Sequence, residues 1–316
     1  MDRPERFAFL LVPEFTHIAF SCAIEPLRIA NLITGETLYE WVLASGDGAS
    51  ATCSNGIVSL VDCRYRDVPP SDRLFVLSGI NVHNHFDPDL LATVRRERVR
   101  GARIGALCSA AFILAKAGML EGMRAAIHWD FHDGFMEDFP GVDLVSSVFV
   151  ADEPIITASG GTATADLMLH LIGQTHGDDL AIAVADQMVY NAVREGTAEQ
   201  RVSLQSRYGM RNPHLVKAIQ IMNDSIERPR SPAVIAAEIG ISTRQLERLF
   251  GRHLNCSPKK YLMDLRLQRA RNLLVQTDQS VTEVALACGF ESPGHFARVY
   301  RTRFGITPTA QQARLR

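Results

Sequence analysis

Arginine, glutamine and hydroxyl side chains recur at helical intervals near the end of this 316-residue chain. Ser242, Thr243, Arg244, Gln245 and Arg248 form one set; His295, Arg298 and Arg301 form a second. Arginine pairs bidentately with guanine and glutamine with adenine, so both sets suit the reading of base edges in a major groove. A different chemistry gathers in the first half. Cys108 and Ser109 end a run of small apolar residues, His128 and Trp129 come about twenty residues later, and Phe15 stands near the start. A thiol beside the free N–H groups of a helix start can become a nucleophile, and the same groups can hold a carboxylate. Aromatic faces such as Phe15 and Trp129 can receive a quaternary ammonium group.

The first chemistry needs paired helices to present it, and the sequence writes them twice. Ile235-Ala-Ala-Glu-Ile-Gly240 matches Val284-Ala-Leu-Ala-Cys-Gly289, 49 residues on. The run from Ser242 to Phe250 matches that from Ser292 to Tyr300, 50 residues on. Each copy reads as a short apolar helix with a small Ala on its packing face, a Gly for the turn, and a Ser to cap the next helix. Gln245 stands at the capping-box spacing after Ser242. Pro293 takes the first helical position of its copy, where a missing N–H costs nothing. Leu246, Leu249 and Phe250, then Phe296, Val299 and Tyr300, are expected to be buried, which turns the arginines outward. Cys256-Ser-Pro258 and Ile306-Thr-Pro308 close the copies with a repeated stop signal. One copy would fit a plain helical bundle equally well; two matching copies favour DNA reading.

On these residues, the stretch from about Pro213 onward resembles the DNA-binding domain of the AraC/XylS transcription regulators. The segment from Val281 through Cys288-Gly-Phe-Glu-Ser-Pro293 to Pro308 is close to that family's signature. The resemblance implies two helix-turn-helix units joined by a long helix, here Lys259 to Val275. It implies double-stranded operator DNA as a partner, and RNA polymerase as a further one. After Pro308 the family's aromatic–Arg pair gives way to Thr-Ala-Gln-Gln.

The net charge of −2 hides an asymmetry. From Pro213 to the end there are 16 Lys and Arg against 8 Asp and Glu; the remainder has 17 against 27. A basic domain joined to an acidic one suits a nucleic-acid reader attached to a part that stays off DNA. The six cysteines include no CxxC pair, which argues against a zinc site or disulfide scaffold and for a reducing cytoplasm. No leader and no apolar run of spanning length is evident, so a soluble cytoplasmic protein without membrane contact is expected.

In the first half, Phe7 to Val12, Tyr39 to Ala44, Ile57 to Val61 and Leu74 to Leu77 read as strands. Ile18 to Asn31 and the Arg-rich Asp87 to Gly101, taken as solvated, read as helices. The alternation predicts a parallel sheet flanked by helices. Arg103 to Gly118 is a strand that breaks into an Ala-rich helix with Cys108 at the break, an elbow at the carboxyl end of the sheet. From this stretch alone, a reactive thiol and a small buried Cys packing a tight turn stand equally.

Gly105-Ala-Leu-Cys108, Leu114 to Gly122, His128, and Ile155-Ile-Thr-Ala-Ser-Gly-Gly161 leading to Asp166 resemble the PfpI-type class I glutamine amidotransferase-like fold, over about residues 5 to 190. In active members of that fold a Cys works with a His and often a Glu near the first strand. Cys108 and His128 match two of these; the Glu position falls near Ala19, with Glu14 and Glu25 out of register. The fused combination resembles one branch of AraC-type regulators, those controlling glycine betaine, carnitine and arginine catabolism.

Phe131 and His132 are expected in the core, and Ser159-Gly-Gly161 either cradles a carboxylate or permits a turn. His83 and His85 lack the neighbours of a metal site. Asp178 to Val193 reads as a long amphipathic helix that, with Arg194 to Asn212, forms the interdomain connection and dimer contacts. The expected architecture is an amidotransferase-like α/β sensor domain at 1–193, a linker at 194–212, and an all-α domain with two helix-turn-helix units at 213–316. Its expected function is a homodimeric transcriptional activator of catabolic genes controlled by a small nitrogenous effector, with no cofactor, metal or catalytic residue. The alternatives are a Cys-dependent hydrolase or amidase joined to a DNA-binding module, and an architectural DNA binder. Phe15, Cys108, Ser109, His128 and Trp129 are the expected effector contacts, with an ordinary core role equally open to Phe15.

Overall fold

The apolar run near the start forms strand β1, Glu5–Leu11, whose alternate side chains enter two different cores. The computed structural model describes residues 3–152, 154–200 and 212–313. After β1 come helix α1, His17–Thr34, and strands β2, Tyr39–Ser45, β3, Ser50–Thr52, β4, Val58–Leu60, β5, Cys63–Arg64, and β6, Arg73–Leu77. Helix α2, Pro88–Val99, strand β7, Arg103–Leu107, and helix α3, Ala111–Lys116, follow. Then come β8, Arg124–Ala126, α4, His132–Asp138, β9, Asp143–Val145, β10, Phe149–Val150, and β11, Ile155–Ala158. Helices α5, Ala163–His176, and α6, Asp178–Gln187, complete this part.

The main sheet runs β10-β11-β7-β6-β1-β2-β5, parallel except for β10. Phe7, Phe9 and Leu11 join Phe75 and Leu77 against α1, α5 and α6. Ala8 and Leu10 join Leu74, Val76, Val94 and Phe112 on the other face. A sheet covered on both faces buries every residue, which is why these strands read as unbroken apolar runs instead of alternating ones. The predicted strand at 57–61 is β4, which pairs antiparallel with β3 in a separate ribbon. The Arg-rich helix α2 is only half solvated: Leu90, Thr93, Val94 and Glu97 are buried, and Glu97 accepts from Arg96 and Arg100.

The long helix predicted through Val193 stops at Gln187, and Val189 takes a left-handed φ of 53°. Residues 190–200 then return over the sheet domain. Val148 N–H donates to Ala198 O, and Gln200 Nε2 donates to the carbonyls of Ile127 and Ser147. The chain divides into units 1–200 and 201–316, so residues 194–200 of the expected linker belong to the first unit. Residues 201–211 of that linker lie outside the described residues, and its last residue, Asn212, caps the helix that follows.

The described residues of the second unit are helical. Its elements are α7, Pro213–Asp224, α8, Pro232–Glu238, α9, Thr243–Leu254, α10, Pro258–Gln276, α11, Val281–Ala287, α12, Pro293–Phe304, and α13, Pro308–Ala313. One core packs Leu215, Ile219, Ile235, Leu246 and Phe250; another packs Leu273, Val284, Phe290, Phe296 and Tyr300. Helix α10 spans both, giving Leu262 to the first and Leu267 to the second. The Ser-Pro pair after α9 proves to be a start signal: Ser257 accepts from Lys260 N–H and Pro258 opens α10.

Candidate functional site

Each helix-turn-helix is assembled from caps and a glycine turn. Ser231 caps α8, Gly240 turns at φ 74°, and Ser242 opens α9. In the second copy Ser280 caps α11, Gly289 turns at φ 71°, and Ser292 accepts from His295 N–H with Pro293 at the first position. Leu246 and Phe250, and their counterparts Phe296 and Tyr300, are buried, while Leu249 and Val299 are half-buried. Thr243, Arg244, Arg248, His295, Arg298 and Arg301 are exposed. Among the described residues none of these four arginines is held in an ion pair, so their guanidinium forks are free for an outside partner.

Two expected base readers have another occupation. Gln245 Oε1 accepts from Ser242 N–H at 2.8 Å and from Ser242 Oγ at 3.0 Å, while Ser242 Oγ accepts from Gln245 N–H. This reciprocal capping box uses the oxygen that a bidentate adenine contact needs, so Ser242 and Gln245 build the helix start. The turns themselves are fastened by residues that the spacing did not mark. His214 Nδ1 lies 3.2 Å from Ile239 O in the first copy. In the second, Arg266 donates to the carbonyls of Cys288 and Gly289, and its guanidinium carbon sits 4.0 Å from the Phe290 ring centre. Arg303 is drawn off to Asp264 on α10 at 3.0 Å.

In the first unit, β1, β6, β7 and β11 bring their carboxyl ends together around Cys108. That residue has φ 64°, a left-handed conformation sparsely populated by residues with a Cβ. Its N–H donates to Ala158 O at 3.0 Å, and its carbonyl accepts from His128 N–H at 3.4 Å. Gly160 comes so close that an added Cβ would lie 2.6 Å from Cys108 Cβ. The thiol lies 3.3 Å from Thr16 Oγ1. Ser109 is fully buried, and its hydroxyl donates to Gly79 O at 2.6 Å.

Burial pushes the Cys108 thiol upward from its ordinary pKa, and the Thr16 hydroxyl and Ser109 N–H only partly oppose it. A nucleophilic cysteine shows the reverse shift. His128 Nδ1 accepts from Asp130 N–H at 3.3 Å, and burial lowers its pKa. No hydrogen bond joins its ring to the thiol among the described residues. The side chain set against the thiol is Thr16 and not a carboxylate, while Glu14 Oε2 accepts from Asn81 Nδ2 at 2.7 Å and faces His85.

Cys108, Ser109 and His128 are thus neighbours, and Trp129, 40% exposed, has its ring 5.4 Å from that of His128. Phe15 departs from expectation. It is 0% exposed in the core, edge-on to Phe20 at 5.5 Å, and presents no face to a ligand. A residue following a central strand is drawn inward when its own ring completes the packing, which sequence position alone does not reveal.

Two known families match the chain: a helix-turn-helix domain at residues 235–314 and the DJ-1/PfpI family at residues 5–174. The HTH-type transcriptional regulator CdhR of Pseudomonas aeruginosa is 41% identical over 307 residues, spanning 97% of this chain and 91% of that one. This chain belongs to the helix-turn-helix transcriptional regulators that carry a DJ-1/PfpI domain. The regulator GbdR of Pseudomonas aeruginosa is 38% identical over 305 residues, 96% of this chain and 83% of that one. A solved AraC family transcriptional regulator from Pseudomonas putida shares the fold, with a TM-score of 0.53 at 23% identity over 58% of this chain and 100% of that one. For this DJ-1/PfpI regulator, the AraC-type double helix-turn-helix and the mostly parallel sheet domain are therefore as the sequence implied. Among the described residues, no helix is long and apolar enough to cross a membrane.

Proposed function

We propose that this DJ-1/PfpI regulator activates catabolic genes by binding operator DNA through both helix-turn-helix units, under control of a small nitrogenous effector. The observation that carries the DNA reading is the pair of exposed, uncommitted arginines on each second helix: Arg244 with Arg248, and Arg298 with Arg301. At three- and four-residue spacing the members of each pair share a helix face. Two helices reading adjacent major-groove segments would protect patches about ten base pairs apart. Footprinting should show both patches, with Arg244→Ala weakening one and Arg298→Ala the other. A single patch indifferent to both substitutions would sink the reading.

The elbow supports sensing over turnover. A thiol raised by burial, a His128 ring bonded to its own turn, and Thr16 in place of a carboxylate against the thiol give a nucleophile no base to activate it. The effector is a betaine, carnitine or amino acid, with Trp129 and His128 at the rim and Cys108 beneath; Ser109, expected as a contact, is fully buried with its hydroxyl bonded to Gly79 and does not reach it. Calorimetric titration with glycine betaine, carnitine and arginine, repeated on Trp129→Ala, tests this. Amide hydrolysis or a trapped acyl adduct on Cys108 would establish the hydrolase instead.

A further inference from the structure

A groove of about 1020 Å³ opens on the first unit between β10, α5, α6 and the returning segment 190–197, and none of the elbow residues lines it. That volume is ample for a compact organic molecule. At one side Asp166 is fully buried and fully employed: Arg194 donates to it from Nε, Nη2 and its backbone N–H, and Tyr190 OH donates at 2.8 Å. Arg194 also reaches Thr162 Oγ1 at 2.9 Å. This network fixes the Tyr190 ring as one wall. Phe149 and His170, with ring centres 5.3 Å apart, supply others. Ile182 and Val193 add apolar surface that is more than half exposed.

The charges choose the occupant. Both arginines of the groove are committed, Arg194 to Asp166 and Arg124 to Asp152 at 3.0 Å. Asp178, Asp186 and Glu195 remain, and among the described residues none has an ion-pair partner. Three aromatic faces and three unneutralised carboxylates attract a cation and repel a carboxylate. We propose that this groove is a second ligand site, separate from the elbow, which takes an organic cation with an apolar body and no carboxylate. Burial lowers the pKa of His170, so at neutral pH its ring adds no repulsion. The site does not depend on the elbow reading. Its occupant bridges α5 and α6 to residues 190–197, the last part of the first unit before the chain leaves for the DNA-binding helices.

The test is calorimetric titration of the full-length protein with benzyltrimethylammonium, with benzoate as the anionic control. The cation should bind saturably and more weakly as salt rises, and benzoate should not bind. Ile182→Arg places a like charge in the groove from an exposed position, so it should weaken binding by about tenfold or more. Asp186→Asn should weaken it by about threefold, a second reading should the first variant misfold. Trp129→Ala should leave the affinity unchanged, and the bound cation should slow amide exchange in residues 190–197. Absence of saturable binding, indifference to both groove substitutions, or loss of binding in Trp129→Ala would each overturn the proposal, the last by moving the cation to the elbow.

Discussion

The two helix-turn-helix units share one sequence grammar and differ in what clasps the turn. Around Gly240 an added Cβ would meet nothing within 4 Å, and His214 ties the turn to α7. Around Gly289 it would meet Ile226 O at 2.6 Å and Glu227 O at 2.8 Å. There Arg266 reaches across from α10, bonds two turn carbonyls, and stacks on Phe290. The repeat therefore specifies a backbone path, while residues outside the repeat decide how rigidly the path is held. A small core gains most from such a clasp, because few buried contacts otherwise oppose local opening.

Breaking the steric half of this difference should give the largest effect. Ala at either glycine must adopt positive φ, costing roughly 1–2 kcal/mol. At position 289 the collision with two carbonyls adds about 1–3 kcal/mol, because backbone cannot swing aside as a side chain can. Gly289→Ala should thus destabilise its unit by roughly 3 kcal/mol or more and Gly240→Ala by half that or less. Hydrogen exchange of amides in α11–α12 and in α8–α9 separates the two. Equal losses would mean that the tight packing around Gly289 relaxes without cost.

Arg266 tests the polar half. Arg266→Ala removes the side-chain donor shared by two part-buried turn carbonyls and should cost about 2–3 kcal/mol, read as faster exchange in α11–α12. Arg266→Lys keeps the charge but loses the fork and the flat face, so it should recover less than half. His214→Ala removes a single contact and should cost about 1 kcal/mol in the first helix-turn-helix. If Lys restored full stability, charge alone would be the agent.

The clasps show where sequence reading stops. Leu246, Phe250, Phe296 and Tyr300 are legible because helical periodicity and burial are the same fact seen twice. The sheet order is not written in any strand, but unbroken apolar runs such as Phe7 to Val12 already exclude a sheet with one wet face. Arg266 looks like any solvated cation on a long helix, since its partners are backbone carbonyls of a distant turn that have no sequence signature. Phe15 fails for a related reason: alternation predicts a face within a strand but not beyond its end. The path of residues 190–200 was missed because the apolar pattern continues past Gln187 while the backbone reverses at Val189. In the elbow, the strand–Cys–helix break is legible, but the raised thiol depends on burial, only partly opposed by the Thr16 hydroxyl, and the fold alone supplies that.

On DNA the comparison becomes one of reading power. Arg244→Ala and Arg298→Ala should each cost about 1–3 kcal/mol of affinity and relax base preference only in their own patch. Gln245→Glu sharpens the point. It keeps the capping box, so helix α9 should persist with operator base preference unaltered apart from a general weakening by charge. A switch in base preference at one position would return Gln245 to the reading set.

The smallest effect expected is a difference in acid sensitivity, and it follows from the caps. The box in the first helix-turn-helix uses Gln245, which does not titrate, whereas that opening the second helix-turn-helix uses Glu283. Hydrogen bonds from the Ser280 side chain and then its backbone N–H hold the Glu283 carboxyl below the ordinary carboxylate range. A carboxyl depressed in the folded state releases its proton more readily there than in the unfolded chain. Its contribution is therefore fully present above the unfolded-state pKa and disappears as pH falls through the lower, folded value. Because Glu283 is fully exposed, solvent screens the effect and the change should be slight. Protection of amides at the start of α11, taken relative to their unstructured exchange rate at each pH, should fall on acidification through the carboxylate range, while that at the start of α9 changes less. Glu283→Gln should abolish the difference, because the amide accepts the same bond at every pH. If the two helix starts loosen in parallel and the substitution changes nothing, acid acts on the second unit through some group other than its cap.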